Sequence, residues 1–114
     1  MILDFDKSFD KQPSEQLTIR LELQNIYDSL VKSGYVLSSA DLKIFNSSGQ
    51  DVTETMLSGG ISLDVTLNYV YATIINGTDG SDYFGRLKTT WTLATQPDQK
   101  PESDFLIRVR QKGF

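Results

Sequence analysis

The sequence predicts an all-β fold, and three observations carry that expectation. Leu17, Ile19, Leu21 and Leu23 alternate strictly with Thr18, Arg20, Glu22 and Gln24, the period of a strand with one buried face. The middle of the chain reads strand, corner, strand. Tyr69 to Ile75 is apolar, β-branched and aromatic, Asn76 to Asp82 is built of Asn, Gly, Thr, Asp and Ser, and Tyr83 to Leu93 alternates again. In that last stretch Tyr83, Leu87, Thr89, Trp91 and Leu93 point one way and Arg86, Lys88, Thr90 and Thr92 the other. Finally, no long helical pattern is present.

Taken in order, Leu3 and Phe5 alternate with Asp4 and Asp6, which predicts a short edge strand; Pro13, with no amide hydrogen, suits an edge or a turn. The Leu, Glu and Gln of 17–24 would also suit a helix, but the strict alternation favours a strand, and a helical turn is expected over Asn25 to Lys32. After Gly34 a short strand runs from about Ala40 to Phe45 and ends at the turn Asn46-Ser47-Ser48-Gly49. Val52, Thr53, Thr55 and Met56 suggest a short strand or an irregular crossing over 51–57. Beyond Ser58-Gly59-Gly60, Ile61, Leu63, Val65 and Leu67 alternate with Ser62, Asp64 and Thr66. Asn68 is the turn-forming residue before Tyr69, so two strands meeting there are preferred to one long bent strand. Gln96 to Pro101 reads as a polar hairpin loop. The last strand places Phe105, Ile107 and Val109 inward and Leu106, Arg108 and Arg110 outward.

The corner before Tyr83 narrows the fold. In immunoglobulin-like sandwiches a Tyr at the start of one strand turns its hydroxyl back onto backbone a few residues upstream. Here Asp79 stands four residues before Tyr83, with the small Ser81 between. With short strands separated by turn signals, this predicts one immunoglobulin-like (Greek-key) β-sandwich of about seven strands, a single domain over residues 1–114. The chain departs from antibody domains: Gly85 stands where their second Cys would be, and no Trp lies on the corresponding third strand. Aliphatic and aromatic packing alone would then hold the sheets together.

Composition excludes several chemistries. With no Cys, disulfides, thiol nucleophiles and Cys-ligated metals are absent; with no His, so are the commonest general base and the commonest transition-metal ligand. No cofactor is implied. The net charge of −4 and pI near 4.6 argue against nonspecific nucleic-acid binding, which depends on a cationic surface. No apolar run approaches the roughly 20 residues of a membrane-spanning helix. Asp4 and Asp6 stand where a secretion signal would carry basic residues before an apolar block, so a chain kept in the cytoplasm, or exported inside an assembly, is expected.

The remaining candidates divide between turn chemistry and binding surfaces. Asp79, Asp82 and Asn76 could offer oxygens to a hard cation, but they lack the regular acid spacing of a calcium loop, and turn formation explains each. The 15 acids are not placed in pairs by any motif that would mark glycoside hydrolysis. Asn76-Gly77-Thr78 and Asn46-Ser47-Ser48 fit the N-glycosylation pattern and read as turns. Arg108, Arg110 and Lys112 share one face of the last strand, either as a solvated face that discourages edge pairing or as a patch meeting Asp4 and Asp6 of the same or a neighbouring copy. Tyr69 and Tyr71 lie on a strand that is apolar on both faces, hence a covered central strand or a subunit contact, where Tyr and Trp are enriched.

The chain also resembles a group of short proteins of tailed bacteriophages and prophages, single immunoglobulin- or fibronectin-type modules associated with virion structure. The likeness rests on Asp4-Phe5-Asp6-Lys7, Gln12-Pro13-Ser14-Glu15 leading into Leu17 to Leu23, Leu37-Ser38-Ser39-Ala40, Asp51-Val52-Thr53, Gly77-Thr78-Asp79-Gly80 with Tyr83, and the ending Val109-Arg110. The stretch from Asn25 to Tyr35 is the least typical, and partner specificity could sit there. The resemblance implies a non-enzymatic structural or assembly module, made in the host cytoplasm and carried into the virion, whose partners are itself or other virion proteins. The alternative is a carbohydrate- or cell-surface-binding module using Tyr27, Tyr35 or Trp91 as an exposed aromatic platform.

Overall fold

The computed structural model describes residues 8–111. In chain order the elements are β1 (Ser8–Lys11), β2 (Leu17–Glu22), α1 (Leu23–Ile26), α2 (Asp28–Lys32), β3 (Val36–Asn46), α3 (Thr53–Met56), β4 (Ser62–Asp64), β5 (Tyr69–Ile74), β6 (Asp82–Leu93), β7 (Gln96–Gln99) and β8 (Glu102–Val109). They form two sheets, β1-β8-β6-β3 with β7 added to β6, and β2-β5-β4. Paired neighbours are antiparallel except β1 and β8, which run parallel with Ser8 opposite Leu106 and Lys11 opposite Val109. The fold is an all-β sandwich. Its strand sets β2-β5-β4 and β3-β6-β8 are compatible with immunoglobulin-like order.

Alternation explains which face of each strand is inside. Ile19 and Leu21 of β2 and Val70, Ala72 and Ile74 of β5 are buried, as are Leu42, Ile44, Leu87, Trp91, Phe105, Ile107 and Val109 from the larger sheet, and all belong to one contiguous core. Trp91 is fully buried, and its indole N–H donates to the buried Thr89 hydroxyl at 2.8 Å, so neither polar group is stranded. Where antibody domains carry a disulfide, Gly85 faces Phe105 in register and the Phe105 ring occupies the space that a Cβ on Gly85 would need. Phe9 packs edge-on against that ring at 5.6 Å. An aromatic contact across a glycine thus fills this part of the core.

Several sequence expectations are corrected. The strand expected at Ala40–Phe45 is eleven residues long, because a bulge between Leu37 and Ser39 reverses the inward parity and hides its first half from an alternation count. Leu23, expected at the end of a strand, opens α1 with its side chain fully buried. The segment read as a short strand or crossing contains a helical turn, α3, preceded by Asp51, whose carboxylate accepts from the Thr53 amide at 2.9 Å. β4 and β5 are separate strands, and Asn68 between them adopts a positive φ of 58°. However, β4 keeps only three residues; Val65 and Leu67 lie on the connecting turn and are half exposed. Gln96–Gln99, expected as loop, pairs with β6 as β7. The edge strand expected at Leu3 and Phe5 lies outside the described residues, and β1 is the strand that borders β8.

Candidate interaction surface

The corner between β5 and β6 ties three parts of the chain together. The Thr78 amide donates to the Tyr83 hydroxyl at 3.0 Å. Asp79 accepts from the Gln111 amide at 2.7 Å, and the backbone of Gly80 and Ser81 bonds both sides of Val109. Lys11 is buried, yet its ammonium donates to the carbonyls of Gln12, Pro13 and Asn76 at 2.6, 3.2 and 2.6 Å, which uses its three protons. Burial pushes the Lys11 pKa down, while Glu15 and Tyr83 pull it back. Gly77, with φ of 103°, leaves no space for a Cβ, which would stand 2.7 Å from Val109 and 3.3 Å from Met56. Asp79 and Asp82 therefore serve the corner, Asp82 by pairing with Arg110 at 2.8 Å. Among the described residues no cluster of three or more acids is arranged to hold a metal ion.

On the outer face of the larger sheet, charges stand opposite one another across strands. Asp41, Lys88 and Glu102 form one row and Lys43, Arg86 and Asp104 the next. Asp82, Arg108 and Asp10 form a third. Ion pairs close Arg86–Asp104 at 3.1 Å, Lys88–Glu102 at 3.2 Å and Arg108–Asp10 at 2.8 Å. Asp104 is buried, and its hydrogen bonds and charge raise the Arg86 pKa further. Between the charged rows Phe45, Phe84 and Leu106 are half-buried, with the Arg86 guanidinium 5.6 Å over the Phe45 ring. Arg108 and Arg110 are thus engaged within the chain. Arg108 meets Asp10 on β1, a partner further along the chain than the Asp4 and Asp6 expected from the sequence; those two residues and Lys112 lie outside the described residues.

The smaller sheet is different. The outward residues of its central strand are Tyr69, Tyr71 and Thr73, all half-buried, while Val70, Ala72 and Ile74 face the core. Register places Glu22, Tyr69 and Asp64 in one row, Arg20, Tyr71 and Ser62 in the next, and Thr18 beside Thr73 in the third. The two tyrosine rings meet edge-on at 6.2 Å. The Arg20 guanidinium lies 4.7 Å over the Tyr69 ring and is held by Glu22 at 2.7 Å. Partial desolvation works against the Arg20 charge, but Glu22 and the two tyrosines outweigh it and raise its pKa. Asp64 accepts from the amides of Thr66 and Leu67, both at 3.1 Å, and so fixes the turn that displays Val65 and Leu67. Sequence reasoning found the two tyrosines but missed Arg20, Glu22 and Asp64. The period-2 spacing of Arg20 and Glu22 was a signal that they share a face; their position beside Tyr71 and Tyr69 was not.

Other sequence candidates are accounted for locally. Trp91 and Tyr27 are buried and pack on each other at 5.8 Å, which overturns their use as an exposed sugar platform; Tyr35 is half-buried. The amide nitrogens of Asn46 and Asn76 donate to Gln50 at 2.9 Å and to the Thr55 carbonyl at 2.7 Å, so both glycosylation-like Asn residues act in turns. The void lined by Leu21, Leu23, Leu87 and Phe105 measures about 10 Å³, too small for a ligand. No helix among the described residues is long and apolar enough to cross a membrane. Comparison of the chain with protein-family models gives no match, and neither does a search of curated proteins.

Proposed function

We propose that the chain is a non-enzymatic structural or assembly module of a bacteriophage or prophage particle, acting through protein–protein contacts. The observation that carries the contact reading is the Tyr69–Tyr71–Arg20 surface. Two aromatic side chains and a guanidinium stand outside the core, already fixed against each other. Tyr and Arg dominate the energetics of protein interfaces, and preorganised side chains lose little entropy on docking. The acids support a non-catalytic role: Asp10, Asp82, Asp104 and Glu102 are engaged by cations, while Asp64 and Asp79 accept backbone amides. The assignment to a particle rests on the sequence resemblance. In this reading the chain is made in the host cytoplasm and incorporated with other virion proteins or with further copies of itself.

The test is quantitative mass spectrometry of particles purified after prophage induction in the source strain. A fixed copy number per particle is expected. Recovery of the chain only from the soluble fraction would overturn the particle assignment, and turnover of a sugar or ester that depends on one of its carboxylates would overturn the non-enzymatic one.

A further inference from the structure

We infer that the outer face of the β2-β5-β4 sheet pairs with the same face of a second copy, about a twofold axis that crosses the strands between Tyr69 and Tyr71. This inference rests on the protein-contact reading above and names the partner; it does not depend on the particle assignment. Row one is Glu22, Tyr69, Asp64 and row two is Arg20, Tyr71, Ser62. A twofold axis lying across the strands midway between those rows exchanges them. Each Glu22 then stands opposite the partner copy's Arg20, each Tyr69 opposite Tyr71, and each Asp64 opposite Ser62, a carboxylate facing a hydroxyl donor.

The same axis sets Thr73, in the third row, opposite the β4–β5 turn that exposes Val65 and Leu67. The Thr73 methyl group and those apolar side chains would cover one another at the rim.

Charge discriminates this geometry from the other simple one. A twofold axis running along β5 would exchange the two sides of the sheet. Glu22 would then meet Asp64, like charge against like, and Arg20 would meet only Ser62. The crossing axis makes each face the complement of itself, as an isologous contact requires. Each Arg20 and Glu22 pair also supplies the opposing one, so the existing ion pair extends into a four-membered network rather than being broken. The face is three strands wide and its central strand is six residues long, which places it at the small end of specific interfaces. The expected dimer is therefore weak and concentration dependent.

Sedimentation equilibrium from low micromolar to near-millimolar chain tests this with two charge reversals. Glu22→Arg and Arg20→Glu lie on the exposed face, and the Glu22 side chain makes no capping bond to α1. Wild type is expected to reach a monomer–dimer equilibrium, and each variant alone to dissociate by at least about tenfold, since each places like charges across the axis. An equimolar mixture of the two variants is expected to form a heterodimer. There the arginine introduced at position 22 of one chain meets the glutamate introduced at position 20 of the other, and the unaltered Arg20 of the first meets the unaltered Glu22 of the second. Rescue in the mixture also shows that both variants are folded. A wild-type chain that stays monomeric throughout overturns the self-pairing and leaves the particle assignment untouched. A dimer strengthened by Glu22→Arg, as the axis along β5 demands, overturns the geometry. So does a dimer indifferent to both reversals, or a mixture that does not associate.

Discussion

The two outer faces of this sandwich share the same pleated backbone and carry opposite chemistries. On the larger sheet Arg86, Lys88 and Arg108 each find an acid on a neighbouring strand, and Asp104 is buried among them. A partner landing there would have to desolvate charges that already have partners. On the smaller sheet the centre is occupied by Tyr69 and Tyr71, with the Arg20–Glu22 ion pair stacked over one ring. Covering that face removes aromatic area from water and leaves the pair intact. The contrast separates two sheet surfaces: one contributes ion pairs to the stability of its own chain, and the other carries the aromatic pair on which the proposed contact rests. Arg108 and Arg110, which the sequence offered either as a solvated face or as a patch, remain exposed but are paired within the chain to Asp10 and Asp82.

The largest expected effect breaks the stabilising face. Asp104→Ala leaves Arg86 beside a vacated acceptor site and removes a charge-assisted pair whose acid is buried and whose guanidinium is partly exposed, which should cost about 2 kcal/mol of folding stability by the range for hydrogen bonds to charged groups. Denaturant unfolding measures it, and sedimentation of the folded variant should match wild type. Tyr69→Ser with Tyr71→Ser should do the reverse. Association should weaken by at least about tenfold, while stability changes by less than Asp104→Ala changes it, because neither ring belongs to the core. Equal losses of stability and association in both variants would erase the contrast between the faces.

A smaller effect is expected where the two sheets are joined. Tyr83→Phe removes the acceptor of the Thr78 amide. The cost should be about 1 kcal/mol, the net worth of an ordinary hydrogen bond, seen as a lower Tm with association unchanged. Arg108→Ala should be smaller still, within about 0.5 kcal/mol, since the Arg108–Asp10 pair is open to solvent on both sides. An association defect in Arg108→Ala, read by sedimentation, would restore that residue to the interaction surface.

Much of this fold is legible in the residues because β2, β5, β6 and β8 each bury one side of a period-2 pattern, and alternation is a local property. The strands that escaped, β1 and β7, owe their structure to partners at β8 and β6 rather than to their own sequences; β7 is exposed throughout. The first half of β3 was hidden by one bulge, since a single extra residue reverses parity. The candidate surface divides in the same way. That Tyr69 and Tyr71 lie on an apolar strand can be read directly, but their neighbour Arg20 is set by register between strands far apart in the chain, and Asp64 by the register of the short turn that joins β4 to β5. Likewise the partner of Arg108 is Asp10 because β1 runs parallel to β8, and nothing within either strand announces that pairing.

The smallest effect concerns the margin of the charged face, where its pairs meet turn chemistry. Asp51 accepts from the Thr53 hydroxyl at 2.6 Å and the Thr53 amide at 2.9 Å, and stands 3.7 Å from Lys43. Those bonds, the hydroxyl first, hold its carboxyl below the usual range, with Lys43 adding less. A folded-state pKa lowered in this way contributes stability that is present above the unfolded value of about 3.9 and is lost as pH falls through that value toward the lower folded one. Asp51→Asn should therefore lower Tm most near neutral pH, and the gap to wild type should close on acidification below the ordinary aspartate range. A gap that does not vary with pH would mean that the turn needs only a neutral acceptor at this position. Because Asp51 is remote from the tyrosine face, its substitution should leave the sedimentation profile at neutral pH unchanged, which separates the contribution of a charge to folding from its contribution to contact.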